Sequence, residues 1–174
     1  VAPDDIGLEE YAEAWIDMAP HVPTLRGLAY EAKVIVEFGV RGAVSTWALL
    51  EGMDEGADLY SVDIDPNVPI PKAVAQDKRF HFIVGDSLKV ELPDHADLVM
   101  IDSSHEFTQT VRELARAAEL TPAYIACHDY LYSHTPQVKA AVDGFVMPGY
   151  MTPPEYQLAY VEASRWGLAV LERR

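Results

Sequence analysis

Five short segments rich in β-branched and apolar residues punctuate the chain: KVIVEF at 33–38, DLYSVD at 58–63, FHFIV at 80–84, ADLVMI at 96–101 and AYIACH at 123–128. Helical or looped stretches separate them. Near-continuous apolar strands alternating with helices predict a parallel sheet covered on both faces. The clearest intervening helix spans 106–120, where Phe107, Val111, Leu114, Ala115 and Ala118 share one face and charges occupy the others. Ahead of the first strand, residues 8–19 space Leu8, Tyr11, Trp15, Ile16 and Met18 as an amphipathic helix ended by Pro20, and a second short helix fits Thr24 to Ala32. At the other end EYQLAYVE (155–162) and WGLAVLE (166–172) are three residues apart, the spacing of an antiparallel hairpin.

With 174 residues and no repeat or Gly/Ser-rich linker, the chain reads as one α/β domain over 1–174. Residues 1–32 form an N-terminal helical segment suited to a lid, or to a substrate or dimer surface. The 28 acidic against 13 basic residues leave a net charge of −15. Such a surface repels phosphate backbones and anionic lipid, so neither nucleic acid nor membrane is expected as the main partner. The single cysteine, Cys127, excludes an intramolecular disulfide and a Cys-rich zinc site, and it fits a reduced, cytoplasmic setting. The acidic opening VAPDDIGLEE has no signal-peptide pattern, and every apolar run falls short of the ~20 residues that span a bilayer.

An open α/β sheet binds its ligands outside the carboxyl ends of its strands. Those ends read Glu37-Phe38-Gly39, Asp63, Gly85-Asp86, Asp102 and His128-Asp129. Gly39 follows the first strand directly, where a tight turn admits close approach of a ligand, and Ser45 or Thr46 is placed to cap the next helix. A Gly-x-Gly-x-x-Gly fingerprint is absent, since position 41 is Arg and position 44 is Val, and no Walker loop occurs. Asp63, some 20-odd residues beyond the glycine loop, suits bidentate bonding to ribose hydroxyls. The other reading is a solvated loop acid. Together these features point to a nucleoside-containing cofactor without phosphates.

These residues resemble the class I S-adenosylmethionine-dependent methyltransferases of the small O-methyltransferase type, from about Lys33 to the C-terminus. VEFGVRGAVST is similar to the family's first motif, SVDIDP to its second and FIVGDSL to its adenine-side loop. VMIDSSHEF and YIACHDY resemble the Asp and His-Asp motifs of metal-dependent catechol and sugar or macrolide O-methyltransferases. The resemblance implies a Rossmann-like methyltransferase fold: a mainly parallel seven-stranded sheet with a C-terminal antiparallel hairpin and helices on both faces. It implies that Glu37 and Gly39 line the methionine end of S-adenosylmethionine, that Asp63 holds the ribose, and that Asp86 and Ser87 lie beside the adenine. Ser45, Ile64, Gly85 and Asp102 join them as cofactor-binding positions. Ala43 stands where relatives often carry a second glycine.

Asp102, His128 and Asp129 should converge at the sheet edge, because adjacent parallel strands are only ~4.8 Å apart. Two carboxylates and an imidazole can hold a divalent cation with positions open for substrate oxygens, and the resemblance implies such a metal, Mg²⁺ or Mn²⁺. His128 stands where relatives often have Asp or Glu, and a His ligand would shift preference from Mg²⁺ towards Mn²⁺, Fe²⁺ or a similar ion. Without a metal, Asp102 would cap the following helix and His128 would be a satisfied core histidine. His105 is the candidate base, matching a basic residue that helps deprotonate the acceptor hydroxyl in catechol-type relatives, or else a surface histidine. His21, His81 and His95 read as structural or solvated. Tyr130, Tyr132, Tyr150 and Tyr156 either wall an aromatic or glycosidic acceptor or are ordinary amphipathic residues. The expected activity is methyl transfer to a hydroxyl of a small molecule with metal assistance, in a monomer or homodimer. The alternative is an inactive S-adenosylmethionine-binding module acting through protein partners.

Overall fold

The computed structural model describes residues 6–147, 149 and 155–174. Seven strands form one sheet: β1 (Val34–Phe38), β2 (Asp58–Asp63), β3 (Phe80–Val84), β4 (Leu98–Ile101), β5 (Tyr124–Cys127), β6 (Tyr156–Glu162) and β7 (Leu168–Arg173). Their order is β3-β2-β1-β4-β5-β7-β6. β1 to β5 are mutually parallel, whereas β7 runs antiparallel to both β5 and β6. The doubly wound sheet with its closing hairpin is the expected Rossmann-like methyltransferase architecture. Its strand order reverses between β1 and β4, the place where such sheets leave a crevice.

The strands are apolar on both sides because both faces are covered. Alternation along each strand sorts residues between two cores. Ile35, Leu59, Leu98 and Met100 pack with α1 (Leu8–Ala12), α2 (Val22–Ala29) and α3 (Val44–Gly52). Val36, Phe38, Val99, Ile101 and Ile125 pack on the other face, against α5 (Phe107–Glu119) and α6 (Pro136–Val146). Between β2 and β3 a single turn, α4 (Lys72–Ala75), adds Val74 to the first core.

Three expectations need correction. The helix expected over 8–19 ends at Ala12; turns follow, then a 3-10 turn at Ala19–His21, and α2 starts at Val22 rather than Thr24. Trp15, Asp17 and Met18 turn towards the β1–α3 loop instead of continuing one helix face, and Ile16 is exposed. On α5 the fully enclosed face is Thr110, Glu113, Leu114 and Ala117, so one charge lies inward; Phe107, Val111 and Ala118 are only partly buried. Tyr156 is a core residue on β6 whose hydroxyl donates to the Pro122 carbonyl at 2.9 Å, and Tyr130 is buried with its hydroxyl on Asp143 at 2.6 Å. Neither walls a substrate site. Tyr150 lies outside the described residues.

Candidate active site

A cleft of about 500 Å³ opens along the carboxyl ends of β1 to β4. Gly39, Asp63, Ile64, Gly85, Asp86, Ser87, Asp102 and His105 all line it. Most of the cofactor positions expected from sequence are thus brought together. Gly39 has φ +92°, and a Cβ built there would sit 2.0 Å from the Asp102 carbonyl oxygen. Only glycine lets the β1 turn lie against the end of β4 in this way.

Two further expected residues, Glu37 and Ser45, are buried and do not line this cleft. Glu37 is fully buried and accepts hydrogen bonds from Ser45 (2.6 Å), Thr46 (2.7 Å) and Ser61 (2.6 Å). Burial pushes its carboxyl up to about 7 despite these donors. The Ser45 and Thr46 hydroxyls therefore bind a buried acid and cap nothing; the residue before α3 is Ala43, in the left-handed region at φ 57°. Ala43 thus adopts the backbone conformation a glycine would take without strain.

Asp63 ties the loop down. Its Oδ2 accepts the Val40 and Arg41 amides at 2.8 and 3.2 Å, and its Oδ1 accepts the Asp65 amide at 2.9 Å. A carboxylate offers roughly four lone-pair sites, so these three amides leave about one unfilled. Arg41, which sequence reasoning passed over, pairs with the buried Asp17 at 2.5 Å and lies over the Trp15 ring at 4.9 Å. The N-terminal segment thereby clamps this loop.

Beyond β4 and β5 the acids meet histidines. Asp102, His128 and Asp129 each offer a ligand atom within 4.8 Å of the others. His105 Nε2 lies 3.1 Å from Asp102 Oδ1 and 2.8 Å from Asp129 Oδ2. His128 Nδ1 lies 3.3 Å from Asp102 Oδ1 and 3.6 Å from Asp129 Oδ2. Both His105 and Asp129 take a left-handed backbone, at φ 59° each, strain of the kind that persists where surrounding structure fixes a functional residue. Hydrogen bonds that it donates to Asp102 and then to Asp129 push the His105 imidazole up to about 10. Burial works against the Asp102 charge, but the facing His128 and His105 outweigh it and hold its carboxyl below the ordinary range.

A divalent cation fits these residues. The donor set is two oxygens and a nitrogen, and the buried Asp129 Oδ1 and His128 Nε2 have no hydrogen-bond partner. Behind them His21, expected to be structural, is wholly buried with its ring 5.2 Å from that of His128 and its Nδ1 3.2 Å from Glu162.

Sequence reasoning also missed Glu113. This fully buried acid lines the cleft and accepts from Ser87, from Ser103 (2.5 Å) and from the Gln109 amide (3.1 Å). Its inward position on α5 was the only signal, and a charge spaced three residues from Thr110 on that helix reads as solvated until the buried face is known.

The sequence profile of the family described as "Methyltransferase domain" matches residues 36–130, more than half of the chain. The chain belongs to this family, and with its fold it is a class I S-adenosylmethionine-dependent methyltransferase. Solved structures of other methyltransferases share the architecture. A putative O-methyltransferase from Klebsiella pneumoniae superposes with a TM-score of 0.73 at 16% identity, covering 100% of this chain and 90% of that one. The O-methyltransferase from Bacillus cereus in complex with SAH gives 0.71 at 15% identity, covering 96% and 90%. A cofactor-bound protein from MTB gives 0.75 at 19% identity, covering 90% and 80%. At these identities the likeness shows the methyltransferase fold alone. No curated protein matches the sequence. Among the described residues no helix is long and apolar enough to cross a membrane.

Proposed function

We propose that this methyltransferase binds S-adenosylmethionine in the cleft and methylates a hydroxyl of a small molecule, assisted by a divalent cation at Asp102, His128 and Asp129. The observation that carries this reading is the meeting of three metal-competent ligands beside a nucleoside-sized cleft that Asp102 lines, two of them, His128 and Asp129, each with an unpartnered buried atom. When bound, the cofactor supplies an electrophilic sulfonium methyl, and the cation lowers the pKa of the acceptor hydroxyl and orients it.

The chain's own residues do the rest. Asp63 and Gly39 set the loop against which the cofactor lies, with Ile64, Gly85, Asp86 and Ser87 around its nucleoside. Asp102 borders both the cleft and the metal ligands, so it links methyl donor to acceptor and favours near-attack alignment. Held between two carboxylates, His105 carries a proton at neutral pH. Its work as a base requires those carboxylates to be engaged elsewhere, as they are when they ligate a cation; the imidazole can then accept the hydroxyl proton.

The test is calorimetry with S-adenosylhomocysteine, then methyl transfer to a panel of catechol, sugar and phenolic acceptors with Mg²⁺ or Mn²⁺. Binding with metal-stimulated transfer is expected, and His105→Ala should lower kcat ~10²–10⁴-fold with cofactor affinity intact. Binding without transfer to any acceptor would favour the inactive module. Full activity in excess EDTA would remove the metal.

A further inference from the structure

Along the same cleft, two loops are tied to one carboxylate. Ser87 follows β3 and Ser103 follows β4, yet both hydroxyls donate to Glu113 of α5, one to each oxygen. The Gln109 side-chain amide donates to Ser87 Oγ at 3.0 Å and to Glu113 Oε1 at 3.1 Å. Each serine has a single proton to give, and Glu113 takes it. What Ser87 and Ser103 retain is lone pairs. All four side chains line the cleft, so this wall offers it acceptors and withholds its hydroxyl protons.

We infer that Glu113 is a specificity-determining residue that sets the polarity of this wall and so selects a 6-amino purine over a 6-oxo purine. This rests on the cofactor reading above, which places the nucleoside among Ile64 and the β3-loop residues Gly85, Asp86 and Ser87. The exocyclic amine of adenine donates, matching a wall of acceptors. The 6-oxygen of hypoxanthine at the same place faces the lone pairs of Ser87 and Ser103, whose protons are committed to Glu113. A site built to pair with one hydrogen-bonding group rejects its unpaired analogue strongly, because buried polar atoms are left without partners. Asp86 is the rival reader: it too lines the cleft, although its carboxylate already accepts the Leu88 amide and pairs with Lys89.

The experiment compares S-adenosylhomocysteine with its 6-oxo counterpart, S-inosylhomocysteine, by calorimetry on the full chain. Wild type should bind the adenine form ~100-fold or more tightly. Glu113→Gln replaces an acceptor oxygen with a donating amide NH2, turning one serine proton back towards the cleft, and the preference should shrink to ~10-fold or less. Equal weakening of both ligands, with the ratio unchanged, marks a merely structural role and overturns the inference. So does equal binding by wild type, or loss of the preference in Asp86→Asn but not in Glu113→Gln. Should Glu113→Gln fail to fold by circular dichroism, Ser103→Ala serves instead. It bares the Glu113 Oε2 and should keep the preference; losing it there overturns the idea. If neither ligand binds wild type, the cofactor reading itself falls; if both bind equally, only the base selection falls.

Discussion

Glu37 and Asp102 are acids at the ends of neighbouring strands β1 and β4, and burial penalises both charges. Glu37 is surrounded by three hydroxyl donors and is still pushed up to about 7. Asp102 faces two imidazoles and is held below the ordinary carboxylate range. Neutral dipoles soften the cost of desolvating a carboxylate, whereas cationic partners reverse it. The first acid is therefore suited to binding a loop together as a near-neutral group. The second is suited to meeting a cation.

The largest way to break this contrast is Glu37→Gln. In the wild type the unfolded acid ionises near its ordinary value of 4.5 and the folded one near 7, so stability falls as pH rises between those values. Denaturation midpoints should show the variant gaining on wild type across that window, by roughly 3 kcal/mol in all. A pH-independent difference would mean that Glu37 is ionised throughout. Next in size is Ser61→Ala, which removes one of the three donors. It should raise the Glu37 pKa further and cost about 1 kcal/mol at pH 8. An unchanged melting temperature at that pH would show that this hydroxyl is not needed. The smallest effect comes from across the strands. Because the Asp102 charge contributes to raising Glu37, Asp102→Asn should lower the Glu37 pKa, read by carboxyl NMR. No change would show that the two acids titrate independently.

The sheet was legible because apolar runs bounded by turns admit little else. The segments 58–63 and 80–84 coincide with β2 and β3, and 33–38 differs from β1 by one residue. The positions of Asp63, Asp102, His128 and Asp129 followed, since a parallel sheet presents its strand ends along one edge. What remained hidden depends on contacts between loops distant in sequence. Ser45 and Thr46 read as caps because Glu37 behind them is invisible until β1 is placed under α3. Glu113 read as solvated because its partners come from two other loops. The early end of the first helix is equally tertiary: Trp15 leaves that helix to lie over Arg41, an attraction local periodicity does not encode.

The close contact at Gly39 has a consequence for the shape of the cleft. With a built Cβ 2.0 Å from the Asp102 carbonyl oxygen, the two halves of the sheet are sealed at their seam by backbone alone. A seam without side chains has nothing to trim, so no substitution at 39 can widen the pocket from within; any added atom acts as a wedge between the β1 turn and the backbone after β4. On the function proposed above, variation in acceptor size would then be absorbed at the outer rim.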